Sequence, residues 1–168
     1  VKKYVIIVNP AGGTKKGSKI LEMVKPVFEQ SNTKLNVIET NYAGHAQEIA
    51  NTLDMSEFDG LCAIGGDGTF FEMLNGMLKR QDSKKFPLGL ITGGTGNAFM
   101  HDLNCLDPVE AARRIIKGNL RPIDISKVET SDELYYSFNI VGWGLVADTG
   151  ILAEYLRILG GFRYDVAS

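Results

Sequence analysis

The 168-residue chain is poor in cysteine, histidine and tryptophan, with two, two and one respectively. Neither Cys62 nor Cys105 belongs to a Cys-x-x-Cys pair. That argues against a disulfide framework or a zinc site and makes a reducing cytosol the expected compartment. An excess of one charge is also lacking. Lys and Arg number 18 against 20 Asp and Glu, a formal net charge of −2. A chain so balanced has no general attraction for nucleic acid. Long apolar runs are missing too. The run at 4–8, Tyr-Val-Ile-Ile-Val, is too short for a signal peptide or a span, and no stretch approaches the ~20 apolar residues that cross a bilayer. Internal repeats and low-complexity tracts are absent.

What is present is an ordinary apolar fraction of 44%, enough for one core. The length suits one domain, or one domain and part of a second. Residues 4–8 form a continuous, largely β-branched run, as in a strand covered on both faces. The spacing predicts further strands at 35–40, 61–64 and 88–92. Between them it predicts helices at 18–28, 44–53 and 69–79, and after them at 98–103 and 108–117. Ser18 is the expected N-cap of the first helix, and Pro26 predicts a kink in it. Asp107 with Pro108 opens the last of these helices, and Gly118 ends it. Alternating strands and helices mean βα units on a parallel sheet, an α/β fold. The pattern changes near Arg121-Pro122. Two strand-like runs at 123–129 and 135–142, joined by a polar turn, read as an antiparallel pair, with a helix at 148–159 behind them. The expected organisation is therefore an α/β domain over 1–122 and, over 123–168, the beginning of a β-rich second domain with too few strands to close its own core.

Three glycine-rich turns follow three of the first four strands. They are Asn9-Pro10-Ala11-Gly12-Gly13 with its Lys15-Lys16-Gly17 continuation, Gly65-Gly66-Asp67-Gly68-Thr69, and Gly93-Gly94-Thr95-Gly96-Asn97. In a parallel sheet all three lie at the carboxyl ends of the strands, where ligands bind. A strand, a glycine turn and a helix aim free backbone N–H groups at an anion. Asp67 stands out in such a turn, because a carboxylate repels phosphate. It needs a proton to accept or a metal ion to share, which points to phosphate transfer; the plainer reading is that it caps the following helix. The segment 12–18 lacks the lysine of a Walker A loop, and 94–99 lacks the last small residue of a Rossmann fingerprint. His45 reads as a first-turn helix residue without the relay a base would need. Arg113, Arg114 and Lys117 read as a solvated helix face.

Taken together, Gly-Gly-Asp-Gly-Thr with Glu72 and Asn75 after it, Asn9-Pro10 with its glycines, Thr40 followed by Gly44-His45-Ala46, and Gly94-Thr95-Gly96-Asn97 resemble the diacylglycerol kinase catalytic domain family. That family includes sphingosine and ceramide kinases. Trp143-Gly144-Leu145-Val146-Ala147-Asp148 and the stretch from Tyr155 to Tyr164 extend the resemblance over nearly the whole chain. Gly-Gly-Asp-Gly alone also occurs in NAD kinases and phosphofructokinases. The resemblance implies a three-layer parallel-sheet domain of that kind and an ATP-dependent lipid kinase using Mg²⁺. It implies Asp67 as the catalytic carboxylate, accepting the lipid hydroxyl proton or organising Mg²⁺. It also implies Asn9, Pro10, Gly12, Gly13, Gly65, Gly66, Gly68, Thr69, Gly94, Thr95, Gly96 and Asn97 around the phosphates, Thr40 and Glu72 on the nucleotide, Arg157 and Arg163 reaching back to it, and Asp148 at the lipid. Gly150 departs from the acidic residue that sphingosine kinases carry there, so the resemblance does not name the lipid. A lipid substrate implies peripheral contact with a membrane surface from the cytoplasm. Two other readings are an NAD kinase-like phosphotransferase and a nucleotide-binding fragment without catalysis.

Overall fold

The apolar runs become the inner strands of a four-stranded parallel sheet. The structure, a computed structural model, describes residues 1–12, 16–139 and 141. Strands β1 (Lys3–Val8), β2 (Lys34–Glu39), β3 (Gly60–Gly65) and β4 (Leu88–Thr92) run in the order β2-β1-β3-β4. Every residue of β3 and all but the first of β1 are buried, while β2 is an edge with a half-polar pattern. The continuous runs are thus the central strands, as burial on both faces requires.

Helix α1 (Gly17–Gln30) packs beside α5 (Pro108–Lys117), and α2 (His45–Thr52) packs beside α3 (Asp67–Leu78). With right-handed crossovers the two pairs fall on opposite faces, giving three layers. At Gly76 of α3 a Cβ would come 2.2 Å from the Gln47 carbonyl oxygen, so glycine there sets the close approach of α2 and α3. Arg80 locks the far end of that pair. Its guanidinium, 7% exposed, donates to the carbonyls of Ala50 at 3.0 Å and Leu53 at 2.9 Å and forks onto the Asp82 carboxylate at 2.9 and 2.7 Å. The charge beside it depresses the Asp82 carboxyl to about 2, through the Arg80 hydrogen bonds first and the Lys84 backbone N–H second.

Several local expectations are corrected. Ser18 lies inside α1, whose N-cap position is Lys16 with no side-chain cap; Pro26 lies within the helix, as expected. Helix α3 begins two residues earlier than expected, so Asp67 and Gly68 belong to its first turn. Asp107 does cap α5, its Oδ1 accepting from Val109 N at 2.7 Å, and Gly118 closes that helix at φ +75°. The antiparallel pair is shorter than expected, β5 (Ser126–Glu129) with β6 (Leu134–Ser137). One α3 side chain hydrogen-bonds to it. The buried Asn75 amide donates to the Tyr136 carbonyl at 2.8 Å and accepts from the Tyr136 N–H at 2.9 Å, as a neighbouring strand would. The helix expected at 148–159 lies outside the described residues.

Candidate active site

The strand ends are level. Val8 pairs with Ile64 and Gly65 with Thr92, so the turns after β1, β3 and β4 open on one rim. Backbone hydrogen bonds carry that alignment into the turns: Asn9 N to Ile64 O at 3.1 Å, Gly93 N to Gly65 O at 2.7 Å, and Thr40 N to Val8 O at 2.9 Å. The chain leaves β1 toward β2 on one side and returns to β3 on the other. The crevice between β1 and β3 is therefore the topological switch point, where open α/β sheets bind ligands.

Asn9 spans that crevice. Its Nδ2 donates to Thr69 Oγ1 at 3.2 Å and its Oδ1 accepts from Ala11 N at 3.2 Å, so the amide folds its own turn and ties it to α3. Gly66 supplies no side-chain cap to α3, and the first intrahelical bond is from Phe70 N to Gly66 O at 3.1 Å. The leading N–H groups of α3 thus face the rim, with the positive end of the helix dipole behind them.

Asp67 makes contacts across the rim. Its Oδ2 accepts from Ala98 N at 2.8 Å and its Oδ1 from Phe99 N at 3.2 Å, so it caps α4 (Ala98–Asp102), which follows the β4 turn. The expected alternative, a cap on its own helix, is replaced by a cap on another. Beneath it Phe70, Phe99 and Phe138 pack as a ring cluster with centroids 4.9–5.3 Å apart. Asn97 closes the β4 turn in the left-handed region at φ +52°, its Oδ1 accepting from Gly94 N at 3.1 Å and its Nδ2 donating to Gly94 O at 2.8 Å. Gly66 and Gly94 touch backbone to backbone: a Cβ at Gly94 would lie 2.5 Å from Gly66 Cα. A Cβ at Gly68 would meet nothing within 4 Å, and the residue is exposed in an ordinary helical conformation.

The family model of the diacylglycerol kinase catalytic domain matches residues 3–128. The chain belongs to that family. It is 39% identical over 176 residues to sphingosine kinase 1 of Arabidopsis thaliana, a match covering 98% of this chain and 36% of that protein. It is 35% identical to sphingoid long chain base kinase 4 of Schizosaccharomyces pombe, covering 96% and 36%. A crystal structure of a diacylglycerol kinase from Bacillus anthracis superposes with a TM-score of 0.64 at 30% identity, covering 74% of this chain and 42% of that one. The chain spans about a third of the length of these curated relatives, 36% in both cases.

Within this kinase-family rim the expected residues separate into groups. Asn9, Pro10, Gly12, Gly65, Gly66, Asp67, Gly68, Thr69, Gly94, Thr95, Gly96 and Asn97 occupy the three turns and the helix starts beside them. Thr40, half-buried, lies at the same edge after β2. Glu72 is one helical turn beyond Gly68 on the same side of α3, half-buried and without an ion pair among the described residues. Gly13, Asp148, Arg157 and Arg163 lie outside the described residues. His45 opens α2, and its Nδ1 accepts from Asn41 N at 3.1 Å, the helix-end role expected of it. Asn75 was legible as part of a motif, but its role as a surrogate strand was not. The only local signal was a polar side chain on an apolar helical face.

Proposed function

We propose that this protein is an ATP-dependent lipid kinase that transfers the γ-phosphate to a lipid hydroxyl. The observation that carries the reading is the start of α3 at the switch point, uncapped among the described residues and flanked by two further glycine turns and by the Asp67 carboxylate. Anions bind where leading helix N–H groups and a helix dipole converge. Gly68 supports the reading, because nothing within the described residues needs a glycine there, whereas a phosphate approaching the backbone would. In this reading the turns after β1, β3 and β4 hold the triphosphate and Thr40 and Glu72 face the nucleoside. Asp148, Arg157 and Arg163 act on lipid and phosphate as the family resemblance implies.

The fit of Asp67 to a phosphate site rests on its pairing. Two backbone N–H groups of α4 share its charge, and a carboxylate has about four lone-pair sites, so two remain for a proton or a metal-bound water. Among the described residues no group of three or more His, Cys, Asp or Glu could cage a metal ion. Mg²⁺ would accordingly arrive on the nucleotide phosphates, where it neutralises charge during transfer. Residues 1–122 form the nucleotide-binding domain in this proposal and 123–168 begin the lipid-binding one. No helix of the described residues is long and apolar enough to cross a membrane; in this proposal it is the lipid nature of the substrate that brings the protein to a membrane surface.

The test is a phosphorylation assay on the full-length protein with radiolabelled Mg-ATP, offering a sphingoid base, ceramide, diacylglycerol and NAD side by side. The names of the relatives make the sphingoid base the first expectation. Transfer to a lipid, lost in Asp67→Asn, supports the proposal. Transfer to NAD alone, or ATP binding without transfer to any acceptor, overturns it.

A further inference from the structure

An apolar pocket of about 870 Å³ lies between β4, α3, α4, α5 and the segment 118–125. Its volume falls within the ~300–1,000 Å³ of small-molecule sites. Its floor is core: Phe70 and Leu74 are buried there. Its mouth is not: Leu120 is 72% and Ile123 40% exposed. Protein interiors leave few voids larger than a water molecule, so an apolar space of this size calls for an apolar occupant.

The charged side chains that line the pocket are cationic; the acids next to them are Glu110, paired with Arg114, and the exposed Asp124 between Ile123 and Ile125. Among the described residues Lys85, Arg114 and Arg121 line it and no Asp or Glu does. Arg114 is already committed, donating to Glu110 at 3.0 Å and to the carbonyls of Leu103 at 2.9 Å and Asn104 at 3.3 Å. Lys85 and Arg121 are exposed and join no ion pair among the described residues. Two uncommitted cations beside an apolar space open to solvent complement one kind of molecule. We infer that the pocket binds an amphiphile with one long alkyl chain and an anionic head, the chain among Phe70, Leu74 and Leu90 and the head at Lys85 and Arg121. None of the described residues of the three glycine turns lines the pocket, and the inference stands whether or not the kinase reading does, because binding is measured without turnover.

The experiment titrates full-length protein with the fluorescent fatty acid cis-parinaric acid and displaces it with palmitate, hexadecyl phosphate or hexadecanol. The two anions are expected to compete at least about tenfold better than the alcohol, the order of one charge-assisted contact. The better of the two identifies the head group. Lys85→Glu with Arg121→Glu should weaken probe binding by about tenfold or more at an unchanged melting temperature, since both positions are exposed surface. Ile123→Trp should plug the mouth and reduce binding. Equal competition by hexadecanol, indifference to the charge reversal, or no probe binding in the wild-type protein overturns the inference; the last outcome means that polypeptide fills the space.

Discussion

Gly66 and Gly94 sit in different turns, 28 positions apart in sequence, and their backbones are in contact: a side chain on Gly94 would begin 2.5 Å from Gly66 Cα. Two of the glycines in the phosphate-like motifs are therefore needed to seat one turn against the other. They build the rim before any ligand enters.

Gly68 is the contrast. Gly68→Ala should raise the melting temperature slightly, because alanine in an α-helix is favoured over glycine by about 0.5–1 kcal/mol and its Cβ enters open space. The same variant should weaken ATP binding by about tenfold or more if phosphate lies against that backbone. Gly94→Ala should instead lower the melting temperature, since backbone must move. Calorimetric melts and ATP titration of both variants check this. A Gly68→Ala protein that binds ATP normally would remove the ligand argument for that glycine.

Asp67 joins the two turns by capping α4. Asp67→Ala should cost about 0.5–2 kcal/mol, the usual loss for an N-cap, and Asp67→Asn less, because its one amide oxygen keeps one of the two N–H bonds while its NH₂ group cannot accept the other. Thermal unfolding of the two variants measures the difference. Stability close to wild type in Asp67→Asn, combined with lost turnover, would assign the carboxylate a chemical role beyond its structural one. Retained turnover in that variant would leave only the structural role.

Asn75→Leu keeps the volume and removes both bonds to Tyr136. Leaving a part-buried N–H and carbonyl unpaired costs about 1–3 kcal/mol for each group. The expected result is faster hydrogen exchange at the Tyr136 amide and its hairpin neighbours, with the sheet unaffected. Unchanged exchange at Tyr136 would show that the hairpin is held by its apolar contacts instead.

Asp82 gives a pH signature. Its folded pKa is depressed to about 2, below the ordinary value of 3.8, so its pairing with Arg80 stabilises the fold above pH ~4. That contribution should be lost as the pH falls from about 4 toward 2. Denaturant unfolding of wild type and Asp82→Asn over that range should show the two curves converging at the acid end. Curves that stay parallel would mean that the pair adds nothing measurable.

The apolar runs at 4–8 and 61–64, the alternation of strands with amphipathic helices, and the Asp107-Pro108 and Gly118 ends of α5 were determined by sequence alone. Each depends on residues a few positions apart, and such periodicity survives in one dimension. The level rim follows from the same pattern once parallel strands are assumed. Tertiary structure decided the partners. That Asp67 caps α4, some thirty residues away, that Gly66 must make room for Gly94, and that the Asn75 amide stands in for a strand beside Tyr136 depend on which backbone groups come within hydrogen-bond or van der Waals reach. A polar or glycine residue states what it can do, but only the packed chain brings the second group to it.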